Sequence, residues 1–142
     1  MTASTSFADL LQRHPLIFFH LVTAVGALLV GSLVMLRRKG TTSHRAWGWV
    51  WVLLMGSTAV ASGFIRDFHA PNIAGITPIH AFTALVAFNL PRGVWFIRHG
   101  NVAAHRKAMR GMYIGGCIVA GIFTLLPGRF LGRLLWPALG MT

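Results

Sequence analysis

Seven histidines are spread along the chain, and four of them recur in a pattern. His20-Leu-Val-Thr23-Ala24 is matched by His80-Ala-Phe-Thr83-Ala84, and His44-Arg45 is matched by His105-Arg106. His20 stands 24 residues before His44, and His80 stands 25 before His105. Neutral imidazole is the commonest metal ligand, and two imidazoles facing each other across an iron would hold a b-type haem inside a helical bundle. Arg45 and Arg106, each beside a histidine, suit either the propionates of such a cofactor, because guanidinium pairs well with carboxylate, or a role confined to setting topology and touching anionic lipid. The expected chemistry is therefore one or two haem b sites, with His20 and His80 as one pair and His44 and His105 as the other. Haem iron is the metal these histidines would hold, since four ligands split between two levels suit a tetrahedral ion poorly. No nucleophile–base constellation and no phosphate loop is present, so no catalytic residue is expected.

The elements that must position these imidazoles follow from composition. Of 142 residues, 55% are hydrophobic and 11% charged, and the mean hydropathy is +0.66. A soluble domain carries about 25% charged residues, so this chain lacks the polar surface to face water. Soluble globular and disordered classes are excluded. Thirteen Lys and Arg against Asp9 and Asp67 give a net charge of +11. The cations punctuate long apolar runs, which points to a lipid bilayer as partner and not to nucleic acid. Cys117 is the single cysteine, which excludes an internal disulfide; within an apolar run it is expected to be a small buried hydrophobe. No cleavable signal is expected, because the first fourteen residues hold Asp9, Gln12, Arg13 and His14 and the apolar run that follows is too long.

Four apolar runs, over 16–36, 46–65, 76–96 and 108–126, are each about 20 residues long, enough to cross a hydrocarbon core of roughly 30 Å as a helix. Helix is required because lipid offers no partner to open backbone groups. Short connections make successive helices antiparallel. The expected fold is all-α: a single domain over 1–142, an integral membrane up-down four-helix bundle made of two similar helical hairpins. The loop over 37–45 carries Arg37, Arg38, Lys39 and Arg45, and the loop over 97–107 carries Arg98, Arg106 and Lys107, with Arg110 just beyond. The middle connection has Arg66 beside Asp67. Both basic loops are thus expected in the cytoplasm, with both termini outside, in a cell inner membrane. The ends are expected at the interface: a short helix within 5–14, capped by Thr5 or Ser6 and halted by Pro15, and an amphipathic helix within 129–139.

His20 and His80 each fall about five residues into their runs, roughly 6 Å below the outer boundary at the helical rise. His44 and His105 fall at the inner boundary. In an up-down bundle the first and third helices are diagonal, as are the second and fourth, so each pair spans the bundle. Small residues at helical spacing offer space for a flat ring: Ala24, Ala27 and Gly31 after His20, and Ala84, Ala87 and Pro91 after His80. Ala59, Ala61, Ser62 and Gly63, with Gly115, Gly116, Ala120 and Gly121, lie at the depth of His20. Small residues serve close helix packing equally well. Arg92 is expected to face the bundle or snorkel. His14, His69 and His99 need no more than solvation. Met55, Met109 and Met112 are expected to fill the core, and the tryptophans to form an interfacial belt.

The series His20…Gly26…Gly31…Arg37-Arg38…His44-Arg45-Ala-Trp47-Gly48, then His80…Gly100-Asn-Val-Ala-Ala-His105-Arg106-Lys107-Ala-Met109-Arg110, resembles the bacterial membrane proteins of domain of unknown function family 2306. The resemblance covers 16–126. A more distant likeness is to the cytochrome b561-type dihaem core. It implies haem on each membrane side, with His20 and His80 outside and His44 and His105 inside, although the extra helices and an ascorbate-site lysine pattern are absent here. The expected function is bis-histidine haem binding and transmembrane electron transfer of the oxidoreductase type, with a redox partner or a larger membrane complex. The alternative is a non-redox accessory or assembly subunit, or a small-solute binding or transport protein.

Overall fold

A computed structural model describes residues 7–66, 73, 76, 80–127 and 129–140. The described residues are helical apart from turns and one isolated bridge between Ile73 and Ile76. Helices α1 (Phe7–Arg13) and α2 (Pro15–Leu36) are separated at His14, with Pro15 in the first turn of α2, where its missing N–H removes no helical bond. The expected caps Thr5 and Ser6 lie outside the described residues, as do Asp67 and His69. Helix α3 spans Thr42–Phe64 and α4 spans His80–Arg98. Helix α5 (Val102–Met112) runs into a π-helical segment, Tyr113–Val119, then α6 (Ala120–Thr124); α7 (Phe130–Ala138) ends the described chain.

The two basic turns are built alike. Gly40 (φ 82°) and Gly100 (φ 77°) take the left-handed backbone that glycine adopts without steric cost. Each is followed by a capping side chain. Thr41 accepts from the His44 amide at 3.1 Å, and Asn101 accepts from the Ala104 amide at 3.0 Å. These caps start α3 and α5 earlier than hydropathy alone suggests, at Thr42 and Val102. His44 and His105 therefore sit in first helical turns and not in loops.

Helices α2 and α3 are each long and apolar enough to cross a membrane. α2 packs on α3, α3 on α4, α4 on α5 and the π segment, and the π segment returns to α2. At the centre lie Ala27, Val34, Trp51, Met55, Val86, Leu90 and Met112, all buried. Lipid supplies no hydrophobic drive between helices, so their packing rests on close contact. Small residues permit that contact. A Cβ on Gly116 would stand 3.0 Å from Val86 Cγ2 and 3.1 Å from Met55 Cε, so the π segment approaches both α3 and α4 through this glycine. Trp51 departs from the expected belt: it is 3% exposed, and its Nε1–H donates to the Ala27 carbonyl at 3.0 Å. Trp47, Trp49 and Trp95 are exposed near the helix ends that flank the basic turns.

Helix α7 folds back on the preceding turn. Trp136 Nε1–H donates to the Leu125 carbonyl at 2.8 Å, and Gly132 lies against the Leu126 carbonyl so closely that an added Cβ would overlap its oxygen. Gly132→Ala is therefore expected to lift α7 off the bundle. Limited proteolysis in mild detergent checks this: cleavage within 129–139 should become several-fold faster, while Gly63→Ala, whose Cβ meets nothing within 4 Å, should leave it unchanged.

Candidate functional site

A cavity of about 230 Å3 opens in the half of the molecule that holds His20. Six helical elements form its wall. α2 contributes His20 and Ala24; α3 contributes Met55, Thr58, Ala59 and Ser62; α4 contributes Phe82, Thr83 and Val86. Gly116 and Cys117 of the π segment, then Ala120, Gly121 and Thr124 of α6, close the opposite side, with Leu131 of α7 at one end. Its floor is the packed centre, since Ala27, Met55 and Val86 belong to both. Two aromatic rings, Phe82 and Phe123, meet at 6.0 Å between centroids beside it.

The polar groups in this wall have defined partners. His20 Nδ1 lies 3.1 Å from the Thr58 carbonyl oxygen, which only accepts, so Nδ1 carries the proton. In the neutral ring Nε2 then holds a lone pair. Thr58 Oγ1 donates to the Leu54 carbonyl at 2.8 Å, and Thr124 Oγ1 donates to the Ala120 carbonyl at 2.8 Å. Ser62 Oγ and Thr83 Oγ1 are 2.7 Å apart and bridge α3 to α4. Cys117 Sγ contacts Met55 Sδ at 3.5 Å. No lining residue carries a formal charge.

The four repeated histidines are treated differently by the fold. His20 lines the cavity; His80 does not, and its Nε2 donates to the Ile65 carbonyl at 3.1 Å. The small stripe after His80 also faces outward, because Ala84, Ala87 and Pro91 are exposed while Val86, Leu90 and Gly93 form the buried face of α4. Larger side chains make more contacts in the centre than alanines would, and this sets the rotation of the helix. At the other end, His105 Nδ1 donates to the Gly93 carbonyl at 2.8 Å, and His44 faces the Val34 carbonyl within electrostatic reach of His105 and Lys39. His44 Nδ1 is buried without a hydrogen-bond partner. His105 thus ties α5 to a carbonyl of α4, while His44 of α3 lies near a carbonyl of α2 without a hydrogen bond from Nδ1.

The space beside Gly93 is filled by Met109, whose Cε would lie 2.6 Å from an added Cβ. Among the described residues no three of His, Cys, Asp and Glu come together as a metal-holding group. A second cavity, of about 280 Å3, lies between 13–17 and 64–66; Arg13, His14 and Arg66 line it, and the repeated histidines do not. His105→Leu is expected to cost about 1 kcal/mol, the size of a hydrogen bond between membrane helices, read as a lower unfolding midpoint in detergent.

Arg45 and Arg106 are exposed at the basic end, and Arg45 donates to the Gly40 carbonyl at 3.3 Å. Arg92 is exposed, on the outside of the packed helices, and lies 5.7 Å over the Phe96 ring. Arg37 and Arg98 lie 5.8 and 5.9 Å over Trp47 and Trp49, so arginine–aromatic pairs gather at the basic end. Thr58 and Thr124 were not legible as site residues. The signal available for them was a hydroxyl within an apolar run, which back-bonds to its own helix in most settings.

No curated protein and no solved structure matches the chain. A family model described as "Predicted membrane protein (DUF2306)" matches residues 17–135. That span takes in the four packed helical segments, the cavity and all four repeated histidines, and the chain belongs to this family of membrane proteins.

Proposed function

We propose that this protein is a four-span membrane protein that holds a small, largely apolar ligand within its helix bundle. In this reading α2, α3, α4 and the α5–π–α6 run cross the bilayer in alternation, as an up-down bundle of two hairpins. The closed ring of packing supports it, since each of these segments touches the next and α2 meets the π segment. The basic turns at 37–45 and 97–107 then face the cytoplasm of a cell inner membrane, leaving the cavity in the outer leaflet and both termini outside. A C-terminal alkaline phosphatase fusion tests the orientation and is expected to be active.

The observation that carries the ligand reading is the cavity itself: mostly apolar, uncharged, and fitted with a hydrogen-bonded imidazole on one wall. Such a lining, apolar with a few convergent polar groups, is typical of small-molecule sites. Fluorine NMR of 4-fluorotoluene added to the protein in lipid nanodiscs should show saturable binding above that of empty nanodiscs. Ala59→Phe, which fills the cavity, should remove it. Absence of saturable binding to the native protein would overturn the proposal.

A second reading is a b-type haem with His20 as an axial ligand. Metal-bound histidines usually donate their second ring N–H to a carbonyl or carboxylate, and His20 does so to Thr58. This reading requires His80 to leave the Ile65 carbonyl and the wall to widen, because a tetrapyrrole exceeds the drug-sized ligands that occupy pockets of about 300–1,000 Å3. Bound haem would supply one-electron chemistry. A dithionite-reduced minus oxidised spectrum of protein expressed with ample haem decides it: an α-band lost in His20→Ala supports the reading, and a flat spectrum ends it.

A further inference from the structure

We infer that the ligand of this cavity is a neutral, single-ring molecule that donates a hydroxyl hydrogen to His20, in chemical terms a phenol. The inference rests on the cavity reading and deepens it. Its basis is the direction of the hydrogen bonds in the wall. The Thr58 carbonyl fixes the proton of His20 on Nδ1, so the neutral ring offers Nε2 as an acceptor. Thr58 and Thr124 have given their hydroxyl hydrogens to carbonyls of their own helices, at 2.8 Å each, and present lone pairs. The Ser62–Thr83 pair uses one of its two hydrogens internally and retains one. The wall is therefore rich in acceptors and poor in donors. A buried acceptor without a partner is costly, so a ligand that brings a donor is favoured over one that brings a carbonyl.

Size and charge narrow the class further. An apolar cavity of about 150 Å3 takes one benzene, so the 230 Å3 here suits one substituted ring. No charged group lines the wall to pair with an ionised ligand, which excludes carboxylates and amines in their charged forms. Phe82, already tilted against Phe123, offers an aromatic surface to such a ring.

The test compares 4-fluorophenol with 4-fluorotoluene, which differ by a hydroxyl in place of a methyl group. Both are titrated by fluorine NMR into the native protein in nanodiscs, with concentrations referred to the lipid phase of empty nanodiscs. The phenol is expected to bind roughly three- to tenfold more tightly, the worth of one net hydrogen bond. In His20→Leu that preference should vanish while 4-fluorotoluene still binds, which shows the cavity intact. If both probes bind the native protein equally, the phenol inference falls and the cavity reading stands. If neither binds, both fall.

Discussion

Gly31→Val is expected to destabilise the folded protein by about 3 kcal/mol, the upper range for forcing extra atoms into a filled interior. A Cβ at this position would stand 2.6 Å from Trp51 Nε1 and 2.6 Å from two ring carbons of Tyr113. Neither ring is free to move aside. Trp51 is held by its bond to the Ala27 carbonyl at 3.0 Å, and Tyr113 Oη lies 2.6 Å from Ser32 Oγ. Adding atoms at Gly31 therefore breaks a hydrogen bond or displaces the π segment from α2. Gly48→Ala provides the contrast, since a Cβ there meets nothing within 4 Å. It should be neutral or stabilising by up to about 1 kcal/mol, because alanine is the better helix former. Thermal unfolding in mild detergent measures both. Equal responses at the two glycines would show that the close approach at Gly31 is not what holds the helices together.

The same contrast explains which parts of the molecule were legible in the sequence. Hydropathy marked the apolar runs because a run of about 20 such residues has few alternatives to a membrane helix. Caps were harder: Thr41 and Asn101 extend α3 and α5 into the basic turns, and the charge of those turns masks the helical start. The π segment left no periodic signal, since Gly115 and Gly116 carry no side chain to define a face. The histidine repeat was visible, but its chemistry was not. His20 and His80 each stand three residues before a threonine, Thr23 and Thr83, and local sequence treats them as equivalents. Tertiary partners separate them. Thr23 bonds within its own helix, to the carbonyls of Phe19 and His20, whereas Thr83 reaches across to Ser62. His20 meets a carbonyl in the middle of α3, and His80 meets one just beyond its end. Which ring nitrogen carries the proton is decided by those partners, and no spacing rule supplies them.

Trp51→Ala is expected to cost about 3–5 kcal/mol, as truncations of large buried aromatics do. The side chain is 3% exposed and makes no contribution to the cavity wall, so its loss acts on the floor beneath. Ala27, Met55 and Val86 face the cavity from above and share the packed centre with Trp51. Removing the indole leaves a void under them and frees the Ala27 carbonyl from its donor. The floor should then yield, and the saturable binding of 4-fluorotoluene should weaken even though no lining residue has changed. The double variant Gly31→Ala with Trp51→Ala separates packing from a general loss of helix stability. With the indole gone, one of the two obstacles to a Cβ at Gly31 is gone too, so Gly31→Ala should cost at least about 0.5 kcal/mol less than in the native background, a coupling of the size seen between contacting residues. Strict additivity in unfolding experiments would mean that Tyr113 alone sets the space at Gly31. In that case the support of the cavity floor would have to be sought in the π segment and not in α3.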